Sequence, residues 1–163
     1  MEKILLSVYN SPKKMKLLKI VSMVSAYLSA AFFVVQLATH FLAADYKVAL
    51  SVGLAAAVGF IVVTVMRKII NLPRPYEVYT FYEVTPRDKK GQSFPSRHCY
   101  SAAVIATLGW IFSPLVTVAV GILTVLIAVT RVVTGIHFVR DVLVGIGMGM
   151  FFGGVGLTLA YIL

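Results

Sequence analysis

The feature that most constrains this fold is the length of its uncharged runs. Val48 to Met66, Leu115 to Thr130 and Val142 to Leu163 contain no charged residue, and Leu17 to Ala43 contains only Lys19 and a histidine. A helix rises about 1.5 Å per residue, so roughly twenty apolar residues cross the roughly 30 Å hydrocarbon layer of a bilayer. With His98 to Ile111 added, the chain reads as all-α, a polytopic transmembrane helix bundle of about five spans in a single domain over residues 1–163. A mean hydropathy of +0.92 with 13% charged residues is too apolar for a soluble domain of this size.

The segments between the runs set the boundaries. Ile4, Leu5 and Val8 at helical spacing predict a short N-terminal interfacial helix over residues 2–9. Ser11 can cap the next helix and Pro12 suits its first turn, with Lys13, Lys14, Lys16 and Lys19 among headgroups. Met1 to Lys19 does not read as a removable signal, because Asn10-Ser11-Pro12 breaks it and no cleavage site is evident. Ala44 to Lys47 reverses the chain after the first span. Four prolines between residues 68 and 97 forbid a continuous helix, and Arg87 to Gln92 predicts a solvated loop. Tyr76, Tyr79, Phe81 and Tyr82 are expected at the membrane interface. Small residues in the second span, and Gly145, Gly149 and Gly153 in the last, predict close helix packing.

Net charge is +9, yet the basic residues lie between apolar runs and form no stripe of the kind that binds nucleic acid. They point instead to lipid headgroups or phosphate. One cysteine, Cys99, rules out an internal disulfide. Only Lys47 falls on the side opposite the N-terminus, the 68–97 loop and the 131–141 turn, so the positive-inside rule places that basic side in the cytoplasm.

The polar groups that lipid would not tolerate without purpose gather at span ends on this same side: Arg67, Lys68 and Arg74; Ser96, Arg97 and His98; Arg131, His137 and Asp141. Converging guanidinium groups match phosphate oxygens, and two histidines among them invite a division into nucleophile and general acid. If the last helix begins near Gly135 or Ile136, His137 and Asp141 share a face. The carboxylate then fixes the imidazole tautomer and leaves the other nitrogen free to attack phosphorus. Ser96 at the start of the third span can serve as N-cap, with the N–H groups of that first turn facing an anion.

These residues resemble the type 2 phosphatidic acid phosphatase (PAP2) superfamily of membrane lipid phosphatases. Its pattern is a Lys, six residues and Arg-Pro; then Pro-Ser-Gly-His; then Ser-Arg, five residues, His, three residues and Asp. Here the third motif is Thr130-Arg131, His137 and Asp141, and the second is Pro95-Ser96-Arg97-His98, with Arg97 where the family has glycine. In the first, Arg67 stands at the lysine position ahead of Arg74-Pro75, and Lys68 lies one residue late as a possible accessory. The resemblance implies His137 as nucleophile, Asp141 as its orienting partner and His98 as the acid for the leaving group. Arg67, Arg74 and Arg131 would hold phosphate oxygens, with Ser96 and the Arg97 N–H stabilising developing charge. It implies a lipid phosphate substrate, no cofactor and no metal. The usual family topology has six spans and an outward-facing site, so five spans with an inward site is a departure.

Two other classes compete. A zinc-dependent membrane hydrolase could draw on Cys99, His98, His137 and Asp141, but neighbouring Cys99 and His98 point to different helix faces and the arginines repel a cation. A transporter or channel would not need a His–Asp pair at this spacing beside a capped histidine helix. His40, near the far end of the first span, is read as structural.

Overall fold

The computed structural model describes residues 11–79 and 90–162. The expected helix at 2–9, the aromatic pair Phe81 and Tyr82, and Arg87 to Lys89 lie outside the described residues. Helix α1 runs Pro12–Leu42, α2 Tyr46–Ile70, the one-turn α3 Pro75–Val78, α4 Arg97–Leu108, α5 Pro114–Val133 and α6 Val139–Ile162.

The local signals act as expected at several ends. Ser11 accepts from the Lys14 N–H with Pro12 in the first turn of α1, and Ser113 accepts from the Val116 N–H with Pro114 in the first turn of α5. Asn71 closes α2 in the left-handed region at φ 42°, a conformation that asparagine tolerates better than most side chains.

Helices α1, α2, α5 and α6 are long and apolar enough to cross a membrane. Helix α4 occupies the expected third span but differs in kind. Its twelve residues cover about 18 Å, and a 3₁₀ turn over Gly109–Ile111 extends it. It is also the most enclosed helix: Cys99, Tyr100, Ala102 to Ala106 and Leu108 are buried. The Gln36 side chain of α1 donates to the Leu108 carbonyl at 2.8 Å, satisfying one of the acceptors that a helix end leaves open. A short helix is tolerable here because other helices, not lipid, enclose most of its length.

Polarity is inverted on α1, whose buried residues are Ser22, Ser25, Ser29 and Gln36 while Leu17, Val24, Leu28 and Val35 are exposed. Water does not drive helices together inside a bilayer, so small and polar side chains make the contact and apolar ones meet lipid.

The glycines of α6 bring it against α4. A Cβ at Gly149 would lie 2.6 Å from the Tyr100 carbonyl oxygen, and one at Gly145 2.6 Å from the Ser96 carbonyl oxygen. This contact fixes the start of α4 beside the start of α6, where the candidate residues sit. Valine at Gly149 is expected to cost about 1–3 kcal/mol by overpacking and to lower the unfolding midpoint in detergent by several degrees. Valine at Gly154, where a Cβ meets nothing within 4 Å, is the control and should leave the midpoint nearly unchanged.

Candidate active site

The site is assembled from helix ends on one face of the bundle, joined by residues 90–96. This segment is stitched to the end of α2 and to α3. The Ser93 N–H donates to the Leu72 carbonyl at 2.9 Å, and the Gln92 N–H donates to Asn71 Oδ1 at 3.2 Å. Glu77 Oε1 accepts from the Gly91 N–H at 2.8 Å, while Arg74 Nε donates to the Gly91 carbonyl at 3.0 Å. Gly91, at φ 67°, occupies the left-handed region where a side chain would be strained.

His137 precedes a helix rather than lying on one. Gly135, at φ 64°, ends the turn after α5, and α6 begins only at Val139. The expected helical start at Gly135 or Ile136 is therefore corrected, and the His–Asp pairing arises differently. Asp141 Oδ2 accepts the Phe138 N–H at 3.0 Å, reaching back to the residue before the helix as the acidic member of a capping box does. The same oxygen lies 3.6 Å from His137 Nδ1. One carboxylate thus starts the helix and faces the imidazole. Both side chains are buried, at 3% and 0% exposure.

Ser93, which the sequence reading passed over, completes this pair. Its hydroxyl donates to Asp141 Oδ2 at 2.5 Å and stands 3.5 Å from His137 Nδ1. The only signal in the sequence is a small hydroxyl residue ahead of Pro95, too common to single out. The backbone is tied across the same place, since the Ser96 N–H donates to the Asp141 carbonyl at 2.9 Å.

Among the first-motif candidates, Arg67 rather than Lys68 turns inward. Arg67 is 4% exposed and Lys68 is exposed. Arg67 Nη1 donates to the carbonyls of Pro95 at 2.5 Å and Ser93 at 3.2 Å, so it holds the segment that carries Ser93 and Ser96. Ser96 is fully buried at the N-cap position of α4, but its side chain makes no capping bond. Arg97 lies half-buried with its guanidinium 5.8 Å from the Phe60 ring centroid. Arg74 is half-buried beside Tyr76, which is buried rather than at the expected interface, while Tyr79 is exposed.

His98 is exposed and lines a cavity of about 390 Å³ with Lys19, Ser22, Arg131 and Thr134. Lys19, read from the sequence as a headgroup anchor, thus reaches the site. The charges of Arg67 and Arg74 act on His137, and those of Arg131, Arg97 and Arg67 act on His98. Cys99 is fully buried, packed with Ala102 and Val142. Among the described residues, no three His, Cys, Asp or Glu side chains are grouped as metal ligands would be.

Burial holds His137 below the ordinary histidine range, and the neighbouring arginines act in the same direction against the raising effect of Asp141. A lowered value keeps the imidazole neutral as pH falls. The acid limb of kcat/KM is therefore expected below about pH 6.5, as read from a pH–rate profile with an aryl phosphate. A limb well above this value would contradict the burial seen here.

Fold and site together define a multi-pass α-helical membrane protein with a histidine, a carboxylate and several arginines gathered at one end of its bundle. The PAP2 superfamily model matches residues 48–161, and the chain belongs to that superfamily. In fold it is similar to the crystal structure of Aquifex aeolicus LpxE. That match has a TM-score of 0.71 at 24% identity and covers 96% of this chain and 93% of the other. It is also similar to a transmembrane PAP2-type phosphatidylglycerolphosphate phosphatase from Bacillus subtilis. Here the TM-score is 0.55 at 17% identity, with coverage of 95% and 90%. No curated protein sequence matches it.

Proposed function

We propose that this protein is a membrane lipid phosphatase that hydrolyses a phosphomonoester or diphosphate on a lipid through a phosphohistidine on His137. The observation that carries the reading is the buried His137–Asp141–Ser93 cluster under arginine charge, on the same face as the exposed His98. Membership of the superfamily and the phosphatase neighbours support it.

In the proposed reaction, Asp141 and Ser93 hold the Nδ1–H tautomer, leaving Nε2 with its lone pair toward phosphorus. Arg74 and Arg131 take phosphoryl oxygens, and Arg67 adds charge while fixing the loop. Nε2 forms a bond to phosphorus as the bond to the lipid oxygen breaks, and His98 gives that oxygen its proton. Water then attacks the phosphohistidine, returning a proton to His98 and releasing inorganic phosphate with His137 restored. No step in this scheme calls on a metal.

Purified protein should release phosphate from lipid phosphates in the presence of EDTA; activity lost to EDTA and restored by zinc would favour the zinc hydrolase instead. His98→Ala should slow hydrolysis of a lipid phosphate by about a hundredfold or more, and of an activated aryl phosphate much less, because the aryl oxide leaves without a proton. Equal losses on both would mean that His98 only positions phosphate. We further propose that the site faces the cytoplasm. Accessibility of an N-terminal tag in sealed cells, before they are opened, would disprove that orientation.

A further inference from the structure

His98 stands between two cavities. The first holds Lys19, Arg131 and Thr134, and the second, of about 420 Å³, runs between α1, α2 and α4. Ala26, Tyr27 and His98 line both, so the two join at the candidate acid. The second cavity is graded. Arg97, Ser101 and Ile105 follow one another along α4 at four-residue steps, on one face over about 12 Å. Arg97 and Ser101 lie nearest the His98 end, whereas Ile105 lies deeper along α4, and Phe60 and Ile127 form other parts of the wall.

Arg97 stands where the family pattern has glycine. Its side chain lines the second cavity and not the first, beside Phe60. On the reaction proposed above, phosphate sits at His137, and His98 protonates the leaving oxygen. With Arg131 of the first cavity holding the phosphate, the second cavity beyond His98 is the room open to the rest of the lipid, and the cationic donor lining it is the Arg97 guanidinium.

We infer that Arg97 is a specificity-determining residue that reads the body of the lipid instead of its phosphate. It donates to an acceptor a few bonds beyond the leaving oxygen, such as the ester or amide carbonyl of a glycerol- or sugar-linked acyl chain, while the chain itself lies along Ile105 and Phe60. A polyprenyl monophosphate offers only hydrocarbon there and forgoes that hydrogen bond, which disfavours it. This inference rests on the phosphatase reading.

The test compares kcat/KM for dioleoyl phosphatidic acid, its dialkyl ether analogue without carbonyls, and p-nitrophenyl phosphate. Wild type should favour the diester over the diether by about tenfold to a hundredfold, the worth of a hydrogen bond to a charged group. Arg97→Met keeps the stem on Phe60, and Arg97→Gly restores the family residue; in both the ratio should fall towards one. A wild-type ratio near one, or a ratio unchanged in both variants, overturns the inference. So does a loss in the variants that is equal for aryl phosphate and lipid, which would return Arg97 to the phosphate cradle. In each of those cases turnover of p-nitrophenyl phosphate by wild type leaves the phosphatase reading standing. No turnover of any of the three by folded wild-type protein sinks both.

Discussion

Alanine at His137 should abolish phosphate release, a loss of about four to six orders of magnitude if the imidazole forms the covalent intermediate. Neither neighbouring hydroxyl nor thiol is placed to substitute for it: Ser93 already donates to the carboxylate, and Cys99 is fully buried with Ala102 and Val142. The variant should still fold, because Asp141 keeps the Ser93 hydroxyl and the Phe138 N–H as donors when the ring is gone. Two measurements decide the matter. Wild type quenched during turnover should carry acid-labile, alkali-stable phosphate on the protein, and His137→Ala should carry none while keeping a cooperative unfolding transition in detergent. Appreciable turnover by the alanine variant would remove His137 as nucleophile.

Asparagine at Asp141 should be the next most damaging change, at about four orders of magnitude in kcat, by analogy with the loss of an orienting carboxylate from a catalytic triad. Oδ2 accepts from Ser93 and from the Phe138 N–H and also faces His137 Nδ1. An amide has one oxygen and one NH₂. If its oxygen serves the two donors, the amide no longer offers a negative charge to His137; if its NH₂ turns toward the ring, the wrong tautomer is favoured and Nε2 carries the proton. Ser93→Ala removes one hydrogen bond to the carboxylate but leaves the charge, so it should cost only about tenfold to a hundredfold. Parallel kinetics of the two variants would show this order. Equal losses would mean that Ser93, standing 3.5 Å from Nδ1, carries the coupling between His137 and Asp141 rather than aligning it.

The site was legible where chemistry depends on spacing along the chain and illegible where it depends on what crosses from another element. His137 and Asp141 announce themselves by their separation and by the cost of placing them in an apolar chain. Their pairing nevertheless does not come from a shared helical face, since α6 starts at Val139 and the carboxylate reaches back as a cap. Ser93 was invisible because its partner is forty-eight residues away. The choice between Arg67 and Lys68 turned on which side of α2 meets the 93–95 segment, and adjacent residues differ by about 100° around a helix, so a one-residue ambiguity in a motif becomes a choice between burial and exposure.

By itself the sequence determined that this chain lies in a membrane as packed helices, because runs free of charge satisfy their own backbone and meet lipid at little cost. It also determined that the arginines and histidines proposed to handle phosphate gather at one end, because such side chains are tolerated only at span ends or inside a bundle. Tertiary structure alone decided which polar groups meet. The α6 glycines let α4 come close enough for the Ser96 N–H to bond the Asp141 carbonyl, and Gln36 closes a helix too short to cross the bilayer unaided. It also turned Arg97 toward Phe60 and the second cavity. These are contacts between residues far apart in sequence, fixed by how closely two helix surfaces can approach, and no local pattern encodes that distance.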